Sequence, residues 1–332
     1  MQSWETAWPD NPEAFVSPSI YAAPWDVKSM KSHQWNVSVQ KSLPWKSAIT
    51  ASYVGNRALD MIALYQHNVV PPGLYEDLQA AKPWSQFGDI ALYDNVGKAW
   101  YNSMQLKWER RFSQGLSSMV SYAFSKNISE NGGASIWDTP TPFAPKGYNR
   151  GRSSLDHTHI LAMNAVWELP FGRERHYGKN LHPVMNGIVG GWQFSTIYNF
   201  ISGNPLSFGV PAATLGNGWS TRPNLSGNPR VSNPTAEKWF NPDVFNTPPD
   251  YTFGNSGIGI LDGPANHTWN LGLMKNFHFT ERKFLQFRWE LFNAINHVNL
   301  SDPVTTIGFG TTGQIFSAGD ARQMQMALKF VF

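Results

Sequence analysis

Alternation with period two marks about nine stretches of this chain as strands. Trp35, Val37 and Val39 share one side of the stretch from Gln34 to Lys41, with Asn36, Ser38 and Gln40 on the other. Ile49, Ala51 and Tyr53 stand against Thr50, Ser52 and Val54. Met104, Leu106 and Trp108 alternate with Gln105, Lys107 and Glu109. Leu116, Val120, Tyr122 and Phe124 alternate with Ser117, Met119, Ser121, Ala123 and Ser125. The pattern returns over Leu161–Leu169, Trp192–Phe200, Trp269–Phe279, Leu285–Leu291 and Gln323–Phe332. Successive strand side chains point to opposite faces, so each stretch has an oily face and a mostly polar one. In the last stretch Met324, Met326, Leu328, Phe330 and Phe332 are oily, while Gln323, Gln325 and Lys329 lie opposite.

The connections alternate as well. Short links fall at Leu43–Trp45, Arg111–Gly115 and Thr280–Arg282, and a short-to-medium one begins at Pro170–Gly172. Long ones, rich in Gly, Pro and Asn, cover Gly55–Lys98, Lys126–Asp156, Ser202–Ala265 and Asn296–Gly319. Tyr75–Ala81 has room for a helical turn. Structureless loops above about 12–15 residues are uncommon in compact soluble domains. A transmembrane barrel explains them, with short periplasmic turns and long outer loops. The expected fold is therefore all-β: an antiparallel transmembrane β-barrel segment of about nine strands, with residues 1–33 a loop remnant and 34–332 the wall. Lys107, Glu109, Arg288, Glu290 and Lys329 fall on the polar side. A Lys or Arg facing the lipid midplane costs about 2–4 kcal/mol. Lys275 is the exception, read near the centre of its strand with the phase broken by a bulge.

Composition sharpens this picture. Charged residues are 15% and aromatics 14%, with 15 Trp, where ordinary chains carry about 25% charged residues. Few charges and many aromatics suit a lipid-facing band between aromatic girdles. A net charge of +3 without a basic run gives no case for nucleic acid. With no Cys, disulfides, thiolate metal sites and a Cys nucleophile are excluded within these residues. No window approaches the ~18 apolar residues of a membrane-crossing helix. Met1 to Trp8 does not read as a signal peptide, so either an export signal is expected upstream or the chain is not exported.

Candidate chemistry is sparse. Asp156-His157-Thr158-His159 places two His on one strand face, but two ligands without a third make a weak metal site, and a strand start explains them better. The Lys107/Glu109 and Arg288/Glu290 pairs read as charge ladders on a wet wall. No hydrolase, zincin, phosphate-loop or dinucleotide fingerprint is present, which argues against an enzyme and against a bound cofactor. Trp84, Trp137, Trp219 and Trp239 lie in long connections, where they could stack on a sugar, clamp a peptide or sit in the outer girdle.

The ordered motifs carry a resemblance. They are QWNVSVQKSLPW over Gln34–Trp45, SYVG over Ser52–Gly55, YNSMQLK over Tyr101–Lys107 with RFS over Arg111–Ser113, and SYAFSK over Ser121–Lys126. ELPFG over Glu168–Gly172, GGWQ over Gly190–Gln193, SGNP over Ser202–Pro205 and WELFN over Trp289–Asn293 with Asn296 and His297 follow. Together they resemble the C-terminal barrel of Oar-like TonB-dependent outer-membrane receptors. The resemblance implies a barrel of about 22 strands, of which this chain would hold the last part without the plug. It also implies localisation in the outer membrane of a Gram-negative-type bacterium and uptake of a bulky ligand driven by TonB–ExbB–ExbD. Gln323–Phe332 resembles the terminal signal of such barrels, in which Met324, Met326, Leu328, Phe330 and Phe332 would be read by the barrel-assembly machinery. Nine strands could not close such a barrel, so the fragment alone is not expected to transport. A secreted or surface all-β binding or adhesion protein is the alternative.

Overall fold

The computed structural model describes residues 17–130, 140–173, 175–280 and 282–332. It begins with β1 (Ile20–Ala22), β2 (Lys31–Leu43) and β3 (Ser47–Gln66). A helical turn, α1 (Leu78–Ala81), precedes β4 (Ile90–Ser113) and β5 (Leu116–Ser129). Next come β6 (Gly151–Arg152), β7 (His159–Glu168), α2 (Pro183–Val189) and β8 (Trp192–Ile201). Four short strands follow: β9 (Pro205–Leu206), β10 (Asn224–Leu225), β11 (Phe245–Asn246) and β12 (Leu261–Asp262). The order ends with β13 (Asn266–His278), β14 (Phe284–Phe292) and β15 (Gln323–Val331).

The nine long strands form one antiparallel wall in the order β15-β14-β13-β8-β7-β5-β4-β3-β2. All nine expected stretches are present, each beside its neighbour in sequence. The wall is open: β2 and β15 each have one long-strand neighbour among the described residues. β1 pairs in parallel with β4, and β6 pairs with β5.

Register aligns the apolar sides into one surface. Ile49, Trp108, Val120, Met163, Tyr198 and Trp269 are cross-strand partners in turn. So are Leu116, Trp167, Phe194, Leu273, Trp289 and Met326. On the other surface Thr50, Lys107, Ser121, Ala162, Asn199 and Thr268 form a mostly polar row. A slip of one residue would exchange the two surfaces, so this patterning specifies the register strongly. Trp35 lies across Gly55, where a β-carbon would collide with the indole.

Tight turns close the short-link end. Trp45 and Lys46 have φ of 58° and 57°, and Gln114 and Gly115 have 52° and 78°. Two successive positive-φ residues match the right-handed twist of a hairpin, which favours Gly in the second place.

Three expectations need correction. Gly55–Lys98 is not all connection: β3 runs 20 residues to Gln66 and β4 runs 24 from Ile90. About 9–11 residues suffice to cross a bilayer, so this hairpin projects well beyond the apolar band. Its outer part does not alternate, because Met61–Tyr65 and Ile90–Tyr93 are apolar at consecutive positions, with Ala63, Leu64 and Ala91 buried. The register shifts between Ala58 and Met61 and again before Ala63, beside Asp60 at φ 55°. Such bulges increase local twist.

The second correction concerns Lys275. No register shift interrupts β13, so the lysine lies on the apolar surface, opposite Trp192 and Phe287. It sits toward the short-turn end of the strand rather than at its centre, and its Nζ donates to the Ile188 carbonyl at 2.9 Å. That contact compensates a charge placed among aromatic residues.

The third concerns the longest connections, which are folded. Leu206, Phe208, Phe240, Phe245, Leu261 and Ile307 make a compact apolar core, and Phe240 is fully buried. Phe208 stacks at 4.3 Å from Phe245 and meets Phe240 edge-on at 5.0 Å. β9 pairs with β12 and β10 with β11. Backbone bonds from Trp239 to Gly313 and from Ile315 to Ala236 join the two connections into a cap. The core residues come from segments far apart in sequence and share no period, so local patterning could not show it.

Candidate functional site

The cap and the β3–β4 hairpin enclose a cleft of about 570 Å³ at the long-connection end. Gln66, Lys82, Asp89, Thr141, Trp219 and Ser220 are among its lining residues. Two buried asparagines fix the segments around it. Asn68 Nδ2 donates to the carbonyls of Trp84, Phe87 and Gly88 at 2.9, 3.0 and 2.7 Å, while its Oδ1 accepts from the Trp84 amide at 2.9 Å. Both ends of this side chain are satisfied, so it fixes the 84–88 loop without a regular element. Asn217 Nδ2 donates to Val70 O at 2.9 Å, and its Oδ1 accepts from the Trp219 amide at 3.1 Å. That pair docks the Trp219 segment against the end of β3. Asp77 caps α1 by accepting from Gln79 and Ala80, which places Lys82 within 3.4 Å of Asp89.

Beyond the Trp219–Ser220 edge of the cleft, an arginine ties the connections together. The Arg222 guanidinium lies 3.6 Å from the Tyr148 ring centroid and donates to Ser256 O at 2.7 Å and Tyr148 O at 2.8 Å. Burial pushes it below the usual arginine value, opposed by the Tyr148 hydroxyl. Deeper in the support, Arg152 donates to Asp156 Oδ2 and Asp262 Oδ1, each at 2.6 Å. Burial disfavours the Arg152 charge most, yet its bonds to Asp156 and Asp262 outweigh burial and hold it above its ordinary value. Asp156 is completely buried and also accepts from the Asn127 amide.

The four tryptophans have different positions. Trp219 lines the cleft. Trp84 is half-exposed next to it, its backbone held by Asn68. Trp239 packs on the cap core, and its indole Nε1 donates to Asp262 O at 2.9 Å. Trp137 lies outside the described residues. Met324, Met326, Leu328 and Phe330 face one way on β15, in register with Leu291, Trp289, Phe287 and Leu285. His159 starts β7 with Nδ1 2.8 Å from the Tyr122 hydroxyl, and His157 Nδ1 is 3.0 Å from Ser202 O. Among the described residues no group of three or more metal-ligating side chains assembles. Sequence reasoning missed Asn68 and Asn217, because a loop asparagine carries no positional signal until its backbone partners are known.

The polar surface carries hydrogen-bonded charges. Lys107 pairs with Glu109 at 2.5 Å, Arg288 donates to Gln286 at 2.7 Å, and Gln325 donates to Glu290 at 3.2 Å. One surface thus suits water and the other lipid.

Comparison with known proteins agrees with this division. The family described as outer membrane beta barrel domain matches residues 3–325. The outer membrane transporter YddB from Escherichia coli is similar at a TM-score of 0.51 and 12% identity, over 96% of this chain and 34% of that one. The FrpB iron transporter from Neisseria meningitidis is matched at a TM-score of 0.45 and 10% identity, over 93% of this chain and 32% of that one. No curated protein matches the chain in sequence. The chain spans about a third of the length of these solved transporters. Its apolar surface is the lipid face of an outer-membrane wall, and the chain belongs to the outer membrane beta barrel domain family.

Proposed function

We propose that this chain is the C-terminal part of the wall of a TonB-dependent outer-membrane receptor. In the whole protein further strands close the barrel, a plug fills it, and TonB–ExbB–ExbD energises uptake of a bulky ligand. The single observation that supports this most is the pairing of a polar inner wall with a folded outer cap that holds an open cleft. A passive pore needs the wall, whereas capture of a scarce ligand needs ordered outer loops. Trp219, with Trp84 beside it, would give that ligand a flat apolar surface, and Gln66, Thr141 and Ser220 would give it hydrogen bonds. Trp239 would serve the cap core instead. The apolar side of β15 would be the stretch read during barrel assembly.

The test is retention of the detergent-extracted whole protein by the immobilised periplasmic part of TonB. Retention supports energy-coupled transport. No retention, with the barrel intact, would favour a surface adhesion protein. A companion variant, Trp219→Ala, should weaken ligand uptake about tenfold or more, the loss of one stacked aromatic of about 1.5 kcal/mol. Its abundance in the membrane should not change.

A further inference from the structure

The connection between β7 and β8 is the longest at the short-turn end of the wall, and it carries α2. Leu181, Val184, Met185 and Ile188 recur at the spacing of one helical face. Val184, Met185 and Ile188 are 66%, 47% and 60% exposed. The opposite side holds Asn186, whose Oδ1 accepts from the Arg173 amide at 2.8 Å and so faces its own connection. Apolar residues therefore point away from the fold, where a soluble helix would bury them.

The helix is tied to the lipid face. Trp192 and Lys275 are cross-strand partners on that surface, next to Phe287. The Trp192 indole Nε1 and the Lys275 ammonium both donate to Ile188 O, each at 2.9 Å. A helix C-terminus leaves carbonyls without partners and favours a cation, so one lysine and one indole anchor it there. Phe171 and Tyr177, 5.8 Å apart and both exposed, extend the apolar patch. Arg173, Lys179 and His182 flank it on the same connection. The exposed stripe is thus continuous with the lipid-facing surface and rimmed by basic groups.

We propose that α2 is an interfacial anchor: its stripe inserts into the periplasmic leaflet, and the basic flank meets phospholipid headgroups. Helices of this kind sink about 5–10 Å into the boundary between headgroups and acyl chains. Lys275 then serves as a clamp, turning an expensive lipid-facing charge into the fastening of the helix.

Residues 1–332 contain no Cys, which makes single-cysteine labelling clean in this region. Val184→Cys, Met185→Cys and Ile188→Cys of the whole protein, in phosphatidylethanolamine/phosphatidylglycerol vesicles, would carry an environment-sensitive fluorophore. Gly187→Cys is the control, since a β-carbon there meets nothing within 4 Å. The expected result is blue-shifted emission at the three stripe positions, quenched by lipids brominated near the headgroup, with water-like emission at position 187. Water-like emission at all four positions would overturn the proposal. Blue-shifted emission that brominated lipid fails to quench would also overturn it, because the stripe would then be covered by protein. Three independent reporters keep the test decisive if one variant assembles poorly.

Discussion

Single residues in this wall are used according to the solvent their face meets. Asp156 shows the strictest case. A fully buried carboxylate is costly unless paired, and Arg152 supplies the pair while bridging to Asp262 in the cap. Removing the arginine takes away the short pair and leaves the buried carboxylate only the longer pair with half-exposed Lys126 at 3.4 Å and the Asn127 amide. Arg152→Met should therefore destabilise the cap by about 3–5 kcal/mol. Limited proteolysis of intact cells would read this as faster cleavage within residues 202–265, with the barrel still present. Trp239→Ala should loosen the same cap by about 2–3 kcal/mol, whereas Trp219→Ala should leave protease resistance unchanged. The two tryptophans looked equivalent in sequence, and only their surroundings separate them. The Asp-His-Thr-His run drew attention through its histidines, yet the buried group proved to be the aspartate.

At the scale of elements, the alternation along each strand was the most legible feature of the chain. Its period is local, two residues long, and imposed by two different solvents. Strands were therefore readable wherever both lipid and water act on them, as in β5, β7 and β14. The outer halves of β3 and β4 were not readable, because bulges break the period there and Met61–Tyr65 and Ile90–Tyr93 are apolar at consecutive positions, with Ala63, Leu64 and Ala91 buried. Lys275 broke the pattern without breaking the strand; its explanation lies in α2, which is distant in sequence. The face assignment makes a paired prediction on β15. Met326→Lys puts a charge in the lipid-facing row and should cost about 2–4 kcal/mol near the midplane. Gln325→Lys, on the lumen face beside Glu290, should be tolerated. Comparing heat-resistant folded barrel on cold and boiled gels checks both. Phe332→Ala should lower the outer-membrane level of the whole protein in quantitative blots, and unchanged levels would count against the terminal stretch as an assembly signal.

For the whole molecule, the open wall sets the account. Among the described residues both edge strands offer unpaired backbone groups, which lipid does not tolerate and which invite further strands. The two surfaces, the tight turns at one end and the cap at the other orient the wall in the outer membrane. The cap was invisible in sequence, since Leu206, Phe240 and Ile307 meet only after the strands have brought their loops together. The central claim is that this wall belongs to a larger transport barrel. The most direct measurement is the intact mass of the native outer-membrane species that contains the peptide of residues 323–332. The account predicts a species several hundred residues longer than the 332 of this chain. A membrane-embedded species of 332 residues would contradict it, because its unpaired edges could then be satisfied only by a small or oligomeric barrel without a plug.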